Sequence, residues 1–176
     1  MKKTHILASG LFIASSLLAA PAMAAITGQV DVKLKVSAGC VVENSEVEGA
    51  MNKFGVLDFG QTSSTWSNVL TAELASAGDG GDLTVICDES VGQFNVSVNG
   101  GERSNRTLSN AADTVNYNVY QDAGRTQLYV IDQNVPFPVG ANNTPVKVPM
   151  FGAVPANATT VSEGDYKDTL LVTVSF

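Results

Sequence analysis

The sequence predicts an all-β fold, an antiparallel sandwich of the immunoglobulin-like type. Short runs in which apolar and polar residues alternate recur along the chain, as expected for strands with one buried face. Clusters of glycine, asparagine, aspartate and proline separate these runs and supply turns. Helical periodicity is weak, and only residues 68–77 offer a short helix as an alternative to a strand.

The clearest alternation lies in residues 26–36, where every even position is apolar or glycine and every odd position is polar or charged. Side chains alternate between the two faces of a strand, so this segment predicts a strand with one dry and one wet face. The dry face consists of Ile26, Gly28, Val30, Val32, Leu34 and Val36.

Further strands are predicted along the rest of the chain. They cover residues 39–42, 54–59, 68–74, 83–87, 94–98, 115–120, 128–131, 146–154 and 166 onward. The separators include residues 78–82, 99–101, 122–124 and 136–144. The last run places Leu170, Val172, Val174 and Phe176 on one face, with Phe176 expected to face the core. A spare strand in front and a missing closing strand behind predict a subunit that is completed by its neighbour.

Residues 1–24 have the parts of a secretory signal peptide. Lys2 and Lys3 give the positive end, residues 6–20 the apolar run, and Ala22-Met23-Ala24 a small-x-small cleavage site. The apolar run is too short for a membrane span, and no later segment approaches one. The expected product is an exported chain with one domain at residues 39–176, preceded by the spare strand at residues 25–38.

Export bears on the cysteines and on the charge. Cys40 and Cys87 are the only two cysteines, and an oxidising compartment favours a disulfide between them. Without Lys2 and Lys3, eight basic residues face seventeen acidic ones. That excess of negative charge argues against nucleic acid or an anionic membrane surface as a partner.

The residues of an enzyme site are largely missing. His5, the only histidine, leaves with the signal peptide, which removes Ser-His-Asp, Cys-His and His-ligated metal sites from the possibilities. Two carboxylate pairs, Asp79/Asp82 and Asp165/Asp168, remain candidates for acid–base chemistry, but both lie in turn-like segments and are interpreted as solvated. We expect no enzymatic activity, no cofactor and no metal; a calcium site at residues 78–82 lacks the required ligand spacing.

Several segments together resemble the major pilin of Csu-type archaic chaperone–usher pili, within the grouping named after the spore coat protein U domain. They are TGQVDVKL at residues 27–34, Gly39-Cys40, MNKFG at 51–55, GGER at 100–103, YNVY at 117–120 and GDYKDTLLVTV at 164–174. No single segment is specific, but their order and spacing are, and the resemblance covers nearly the whole exported chain.

The resemblance implies a sandwich that lacks its last strand. A periplasmic chaperone lends a strand, and the N-terminal strand of the next identical subunit replaces it at an outer-membrane usher. The dry face at residues 26–36 then matches the donor face, and the face of Leu170, Val172, Val174 and Phe176 forms one groove edge and the chaperone contact. The implied product is a surface pilus that also contains tip or adaptor subunits and supports adhesion and biofilm formation.

Three alternatives remain open on the sequence. The first strand could be the ordinary strand A of a closed, monomeric, coat-like surface protein with the same fold. The chain could be a pilus tip adhesin, although such proteins usually carry a second domain. Trp66, Tyr117, Tyr120 and Tyr129 could line a sugar site instead of packing in the core.

Overall fold

The computed structural model describes residues 27–36, 38–48, 51–78 and 82–176, of which residues 27–35 belong to a different structural unit from residues 36–176. The second unit contains fourteen strands among its described residues. They are β1 (Cys40–Glu43), β2 (Glu46–Glu48), β3 (Met51–Lys53), β4 (Gly55–Leu57), β5 (Leu70–Ser76), β6 (Thr84–Cys87), β7 (Gln93–Val98), β8 (Thr107–Ser109), β9 (Thr114–Asn116), β10 (Asn118–Tyr120), β11 (Val135–Pro138), β12 (Val146–Lys147), β13 (Phe151–Val154) and β14 (Val172–Ser175). The helical content of the described chain is two single turns of 3-10 helix, Glu89–Val91 and Ala141–Asn143.

All strand pairs are antiparallel, which confirms the predicted all-β class. Two sheets have three strands, in the orders β1-β6-β12 and β11-β7-β14. A third sheet has the order β10-β13-β5-β4, and the pairs β2-β3 and β8-β9 form separate two-stranded ribbons. No helix in the described part of the chain is long and apolar enough to cross a bilayer.

A single cluster of buried side chains joins these sheets. The central strand β7 shows the alternation most clearly, because Phe94, Val96 and Val98 are fully buried while the residues between them are not. Phe94 stacks on Phe137 of β11 with ring centroids 5.4 Å apart. The buried members of the cluster are Leu83, Val85, Cys87, Phe94, Val96, Val98, Tyr117, Val119, Tyr129, Val148, Met150 and Val154.

Cys40 and Cys87 form a disulfide, as the sequence predicts. They lie directly opposite each other on β1 and β6, with their Cα atoms 4.0 Å apart. The bond closes a loop with a sequence separation of 47, which corresponds to about 4 kcal/mol in the chain-entropy description of cross-links.

The strand predicted at residues 68–74 is confirmed as β5, which pairs with both β4 and β13, so the alternative of a short helix at residues 68–77 is wrong. Other strand predictions are wrong in detail. The run at 146–154 is two strands, because β12 pairs with β6 whereas β13 pairs with β5 and β10. The run at 115–120 is two strands: the main-chain N–H of Tyr117 donates to the carbonyl of Arg106 (2.9 Å), and the chain changes partner from β8 to β13. Residues 128–131 form no strand, but Tyr129 within them is fully buried.

Four strands lie where no strand is predicted. Residues 136–144 read as a turn because of their prolines, yet β11 occupies Val135–Pro138. Proline is tolerated on an edge strand when its nitrogen faces away from the neighbouring strand. The ribbons β2-β3 and β8-β9 account for three more unpredicted strands, β2, β3 and β8; each has three residues, too few for alternation to be read.

Candidate functional site

Four strands of the two three-stranded sheets have a neighbour on one side only within the described residues. They are β1 and β12 in one sheet and β11 and β14 in the other. An edge strand presents main-chain N–H and C=O groups that can pair with another strand unless something blocks them. The side chains and prolines of these four edges therefore decide where another strand can be added to these two sheets.

The outer edge of β14 is open. The N–H of Asn99 donates to the carbonyl of Leu171 (3.0 Å), which makes these residues a hydrogen-bonded pair. Antiparallel ladders alternate, so Thr173 and Ser175 bond to β7, whereas the main-chain groups of Val172 and Val174 point away from it. The side chains of those same two valines are half-buried and pack against the core.

The outer edge of β1 has the same construction. The N–H of Asp88 donates to the carbonyl of Gly39 (3.0 Å), so the alternation directs the main-chain groups of Cys40 and Val42 away from β6. Both side chains are half-buried against the core. Neither β1 nor β14 contains a proline or a lysine.

Prolines block the other two edges. On β11 the N–H of Val139 donates to the carbonyl of Gly92 (3.0 Å), and the same alternation turns Pro136 and Pro138 outward, where they carry no N–H. At β12 and the residues beside it the outward positions are Pro145, Lys147 and Pro149, since the N–H of Val148 donates to the carbonyl of Leu83, just before β6 (2.9 Å). Prolines and lysines are the usual means of preventing edge pairing.

The described residues 27–36 carry no strand assignment, and their apolar side chains are exposed. The exposed fractions are 84% for Val30, 92% for Val32 and 87% for Leu34. The side-chain amide of Gln29 donates to the carboxylate of Asp31, two residues further along the wet face (2.8 Å). The predicted strand is therefore not part of a sheet here, and the predicted dry face has no cover.

The predicted site residues fall into three groups. Cys40 and Cys87 are joined by the disulfide. Of the proposed donor face, Ile26 lies outside the described residues, and Gly28, Val30, Val32, Leu34 and Val36 are exposed. Of the C-terminal face, Leu170, Val172 and Val174 pack half-buried on the core, but Phe176 is 64% exposed and does not face the core as expected. Among the described residues, β14 has the single sheet neighbour β7.

The two carboxylate pairs do not form acid–base sites in the described structure. Asp79 lies outside the described residues, and Asp82 forms an ion pair with Lys147. The other pair is split, because Asp165 is exposed while the Asp168 side chain is 1% exposed. The interpretation of Asp168 as a solvated turn residue is therefore wrong. Among the described residues, no group of three or more metal-ligating side chains is close enough to hold an ion.

The aromatic side chains that could have formed a sugar platform are dispersed. Tyr117 and Tyr129 are buried, and their hydroxyls donate to Asp168 (2.6 Å) and to the carbonyl of Pro149 (3.1 Å). The indole N–H of Trp66 donates to the carbonyl of Pro155 (2.7 Å), and the ring packs against the core. These residues support the sandwich and do not share one exposed surface.

Two polar residues beside β14 have contacts that the sequence does not predict. Asp168 lies four residues before β14, and Asn99 follows β7 and bonds to Leu171 through its side chain. The available signal is that Asp168 belongs to the GDYKDTLLVTV segment quoted above for the family resemblance.

Comparison with solved structures finds a similar chain in the CsuC–CsuE chaperone–tip adhesion subunit pre-assembly complex from archaic chaperone-usher Csu pili of Acinetobacter baumannii. The identity is 14%, the TM-score is 0.46, and the match covers 80% of this chain and 40% of that chain. The chain thus spans less than half the length of this solved relative. No curated protein matches the sequence.

The family comparison covers most of the chain. The model of the Spore Coat Protein U domain matches residues 26–173, a range that includes residues 27–36, both cysteines and the first half of β14. The chain belongs to the Spore Coat Protein U domain family.

Proposed function

We propose that this chain is a structural shaft subunit of a surface pilus, assembled by donor-strand exchange through a chaperone–usher pathway. Its N-terminal segment, residues 25–38, is the strand that it donates. Its sandwich, residues 39–176, accepts the same segment from the next identical subunit. The pilus supports adhesion and biofilm formation, and the chain acts as a building block without enzymatic activity.

The observation that carries this proposal is the asymmetry of the sheet edges. Prolines block β11 and β12, whereas β1 and β14 keep outward N–H and C=O groups on residues whose apolar side chains are half-buried. A strand added at such an edge gains main-chain hydrogen bonds, and its alternate side chains enter the apolar layer. The accepting site is therefore the edge of β14 together with that of β1.

The donated strand is supplied by the exposed segment. Its dry face presents Val30, Val32, Leu34 and Val36 to solvent, and burying one such side chain is worth about 1.5–3 kcal/mol. Gly28 continues the face with no side chain, which allows close approach of another backbone. An unassembled subunit has both surfaces uncovered, so the proposal also includes a periplasmic chaperone that covers them, an outer-membrane usher and tip or adaptor subunits.

Peptide binding tests the proposal directly. A chain lacking residues 25–36 is exported, purified and titrated with a labelled peptide of residues 26–36. We expect one peptide to bind per chain and to raise the melting temperature of the chain, since a ligand that binds only the folded state stabilises it. The matched controls are two peptides with one substitution each, Val32→Asp on the dry face and Lys33→Asp on the wet face.

The two control peptides separate the faces. The Val32→Asp peptide should bind at least 100-fold more weakly, because it places an unpaired charge in the apolar layer, while the Lys33→Asp peptide should bind within about threefold of the parent. A truncated chain that is a stable monomer and ignores all three peptides contradicts donor-strand exchange. That result favours the self-contained, coat-like surface protein.

A further inference from the structure

One carboxylate lies buried just before β14. The Asp168 side chain is 1% exposed, and its Oδ1 accepts the main-chain N–H of Glu102 (2.9 Å). Its Oδ2 accepts the hydroxyl of Tyr117 (2.6 Å). The nearest cation is the Arg103 guanidinium, 3.8 Å away and 38% exposed, so the neutral donors provide most of the close contacts. A buried carboxylate held in this way fixes the positions of the groups that donate to it.

Three separate sequence segments meet at this carboxylate. They are GGER at residues 100–103, YNVY at 117–120 and the GDYKDTLLVTV segment that contains Asp168. Gly101 has a φ of +78°, and a Cβ added there would lie 1.9 Å from Asp168 Oδ2. Glycine is therefore required at residue 101 both by the backbone conformation and by the carboxylate.

A second side chain ties the same loop to the start of β14. Asn99 Oδ1 accepts the N–H of Gly101 (3.0 Å) and the N–H of Leu171 (2.8 Å). The N–H of Asn99 in turn donates to the carbonyl of Leu171 (3.0 Å). The loop after β7 is thus bonded to the chain at Asp168 and again at Leu171, immediately before the first residue of β14.

Fixing this end matters because β14 has one sheet neighbour among the described residues. A shift of one residue along β7 would turn Thr173 and Ser175 toward the core and Val172 and Val174 toward solvent. It would also exchange which main-chain groups point outward at the open edge. An edge strand that gains its second neighbour only on assembly must already have the correct register. Contacts within the chain therefore have to set that register.

We propose that Asp168 is a positioning residue that sets the register of β14 and so prepares its outer edge for the added strand. The accepting role in this statement rests on the proposed function, whereas the register role rests on the contacts alone. Tyr117 and Gly101 act together with Asp168. The Tyr117 hydroxyl donates to the carboxylate, and the absence of a side chain at Gly101 leaves the space that the carboxylate occupies.

Amide hydrogen exchange on the full exported chain tests the register role. In Asp168→Ala we expect the Thr173 and Ser175 amides, which bond to β7, to exchange at least 10-fold faster than in the unsubstituted chain. The exchange rates of the β13 amides, in the four-stranded sheet, should change less than twofold. Tyr117→Phe removes one of the two close donors and keeps the ring, so its effect on β14 should be smaller but in the same place.

Asp165→Ala is the matched control, because Asp165 lies three residues away and is exposed. Asp165→Ala should leave the amide exchange rates of both β13 and β14 unchanged. If Asp168→Ala does not fold, Asp168→Asn and Tyr117→Phe supply the same comparison. Equally faster amide exchange in β13 and β14 would mean that Asp168 affects only the global stability. Unchanged exchange in β14 would mean that Asp168 does not fix this strand. Either result overturns the proposal.

Binding of the labelled peptide to chains that lack residues 25–36, with and without the same substitutions, tests the accepting role. We expect Asp168→Ala to bind it at least 10-fold more weakly and Asp165→Ala to bind it as the unsubstituted chain does. An unsubstituted chain that does not bind the peptide overturns the proposed function and with it the accepting role. The exchange experiment then still decides whether Asp168 fixes β14.

Discussion

Arg106 shows at the residue scale how this sandwich satisfies a buried charge without a carboxylate. Its side chain is almost fully buried, and its guanidinium donates to the main-chain carbonyls of Val98 (3.1 Å), Asn99 (3.3 Å) and Tyr129. Burial lowers the pKa of Arg106, but a guanidinium stays charged at any ordinary pH. Its planar fork therefore holds the end of β7 and the chain around Tyr129 together.

The two buried tyrosines predict how stability depends on alkaline pH. Burial raises the pKa of both Tyr117 and Tyr129, and the carboxylate of Asp168 raises that of Tyr117 further. Their folded pKa values lie above the unfolded value of about 10, so their contribution to stability is complete below pH ~10. Above that pH the unfolded state loses protons first, and the free energy of unfolding falls by up to about 1.4 kcal/mol per pH unit for each tyrosine.

Absorbance at 295 nm follows this titration. The chain has four tyrosines, and two of them should ionise only as circular dichroism reports unfolding. In Tyr129→Phe, one tyrosine should ionise in that late step. If all four tyrosines titrate while the β-sheet signal stays native, these two hydroxyls are not buried as described.

At the scale of the elements, β11 and β14 are two edges of one sheet with opposite construction. Both pair with β7, one on each side, and both place alternate apolar side chains toward the core. The outward nitrogens of β11 are those of Pro136 and Pro138, whereas those of β14 belong to Val172 and Val174. A proline placed at an outward position of β14 should therefore prevent the addition of a strand at that edge.

Val174→Pro is the substitution that makes this transfer. The N–H of Val174 points away from β7, so its loss leaves the β7–β14 hydrogen bonds in place. We expect the variant to fold and keep its disulfide, but to bind the peptide of residues 26–36 at least 10-fold more weakly. Val174→Ala is the matched control for the lost side chain and should bind clearly better than Val174→Pro. Equal binding by the two variants would show that the outer N–H of Val174 is not used.

The sequence predicted the elements in which alternation extends over several residues and missed those that depend on a partner. β5 and β7 lie close to their predicted ranges because each buries alternate residues, and β6 does so because it is a short run of mostly apolar residues. β11 was missed because proline reads as a turn until the neighbouring strand is known. Asp168 was misassigned because its burial comes from Gly101 and Tyr117, which lie more than fifty residues away in the chain.

At the scale of the whole molecule, the proposed function makes the accepting edge and the donated segment different surfaces of one chain. Such a head-to-tail contact is heterologous, and it produces an open polymer when the rotation between copies does not close a ring. Each copy then donates its strand in one contact and accepts a strand in another, so the two roles can be disabled separately. We expect a chain lacking residues 25–36 to accept but not donate, and Val174→Pro to donate but not accept.

Mixing these two variants tests the arrangement as a whole. The unsubstituted exported chain should give a ladder of bands on a gel run without boiling, whereas each variant alone should give a single band. The mixture should give one new band, a one-to-one dimer, and no ladder, since the dimer has neither a free donor nor an open edge.

Isotope labelling of one partner identifies the composition of that dimer by mass. A dimer formed by Val174→Pro alone would show that β14 is not the accepting edge, and a ladder from the truncated chain alone would show that residues 25–36 are not the donor. Boiling in denaturant should dissociate the dimer, because the joint consists of a strand and its apolar contacts without a covalent bond. Reduction without boiling should leave it intact, since the Cys40–Cys87 disulfide lies within one chain.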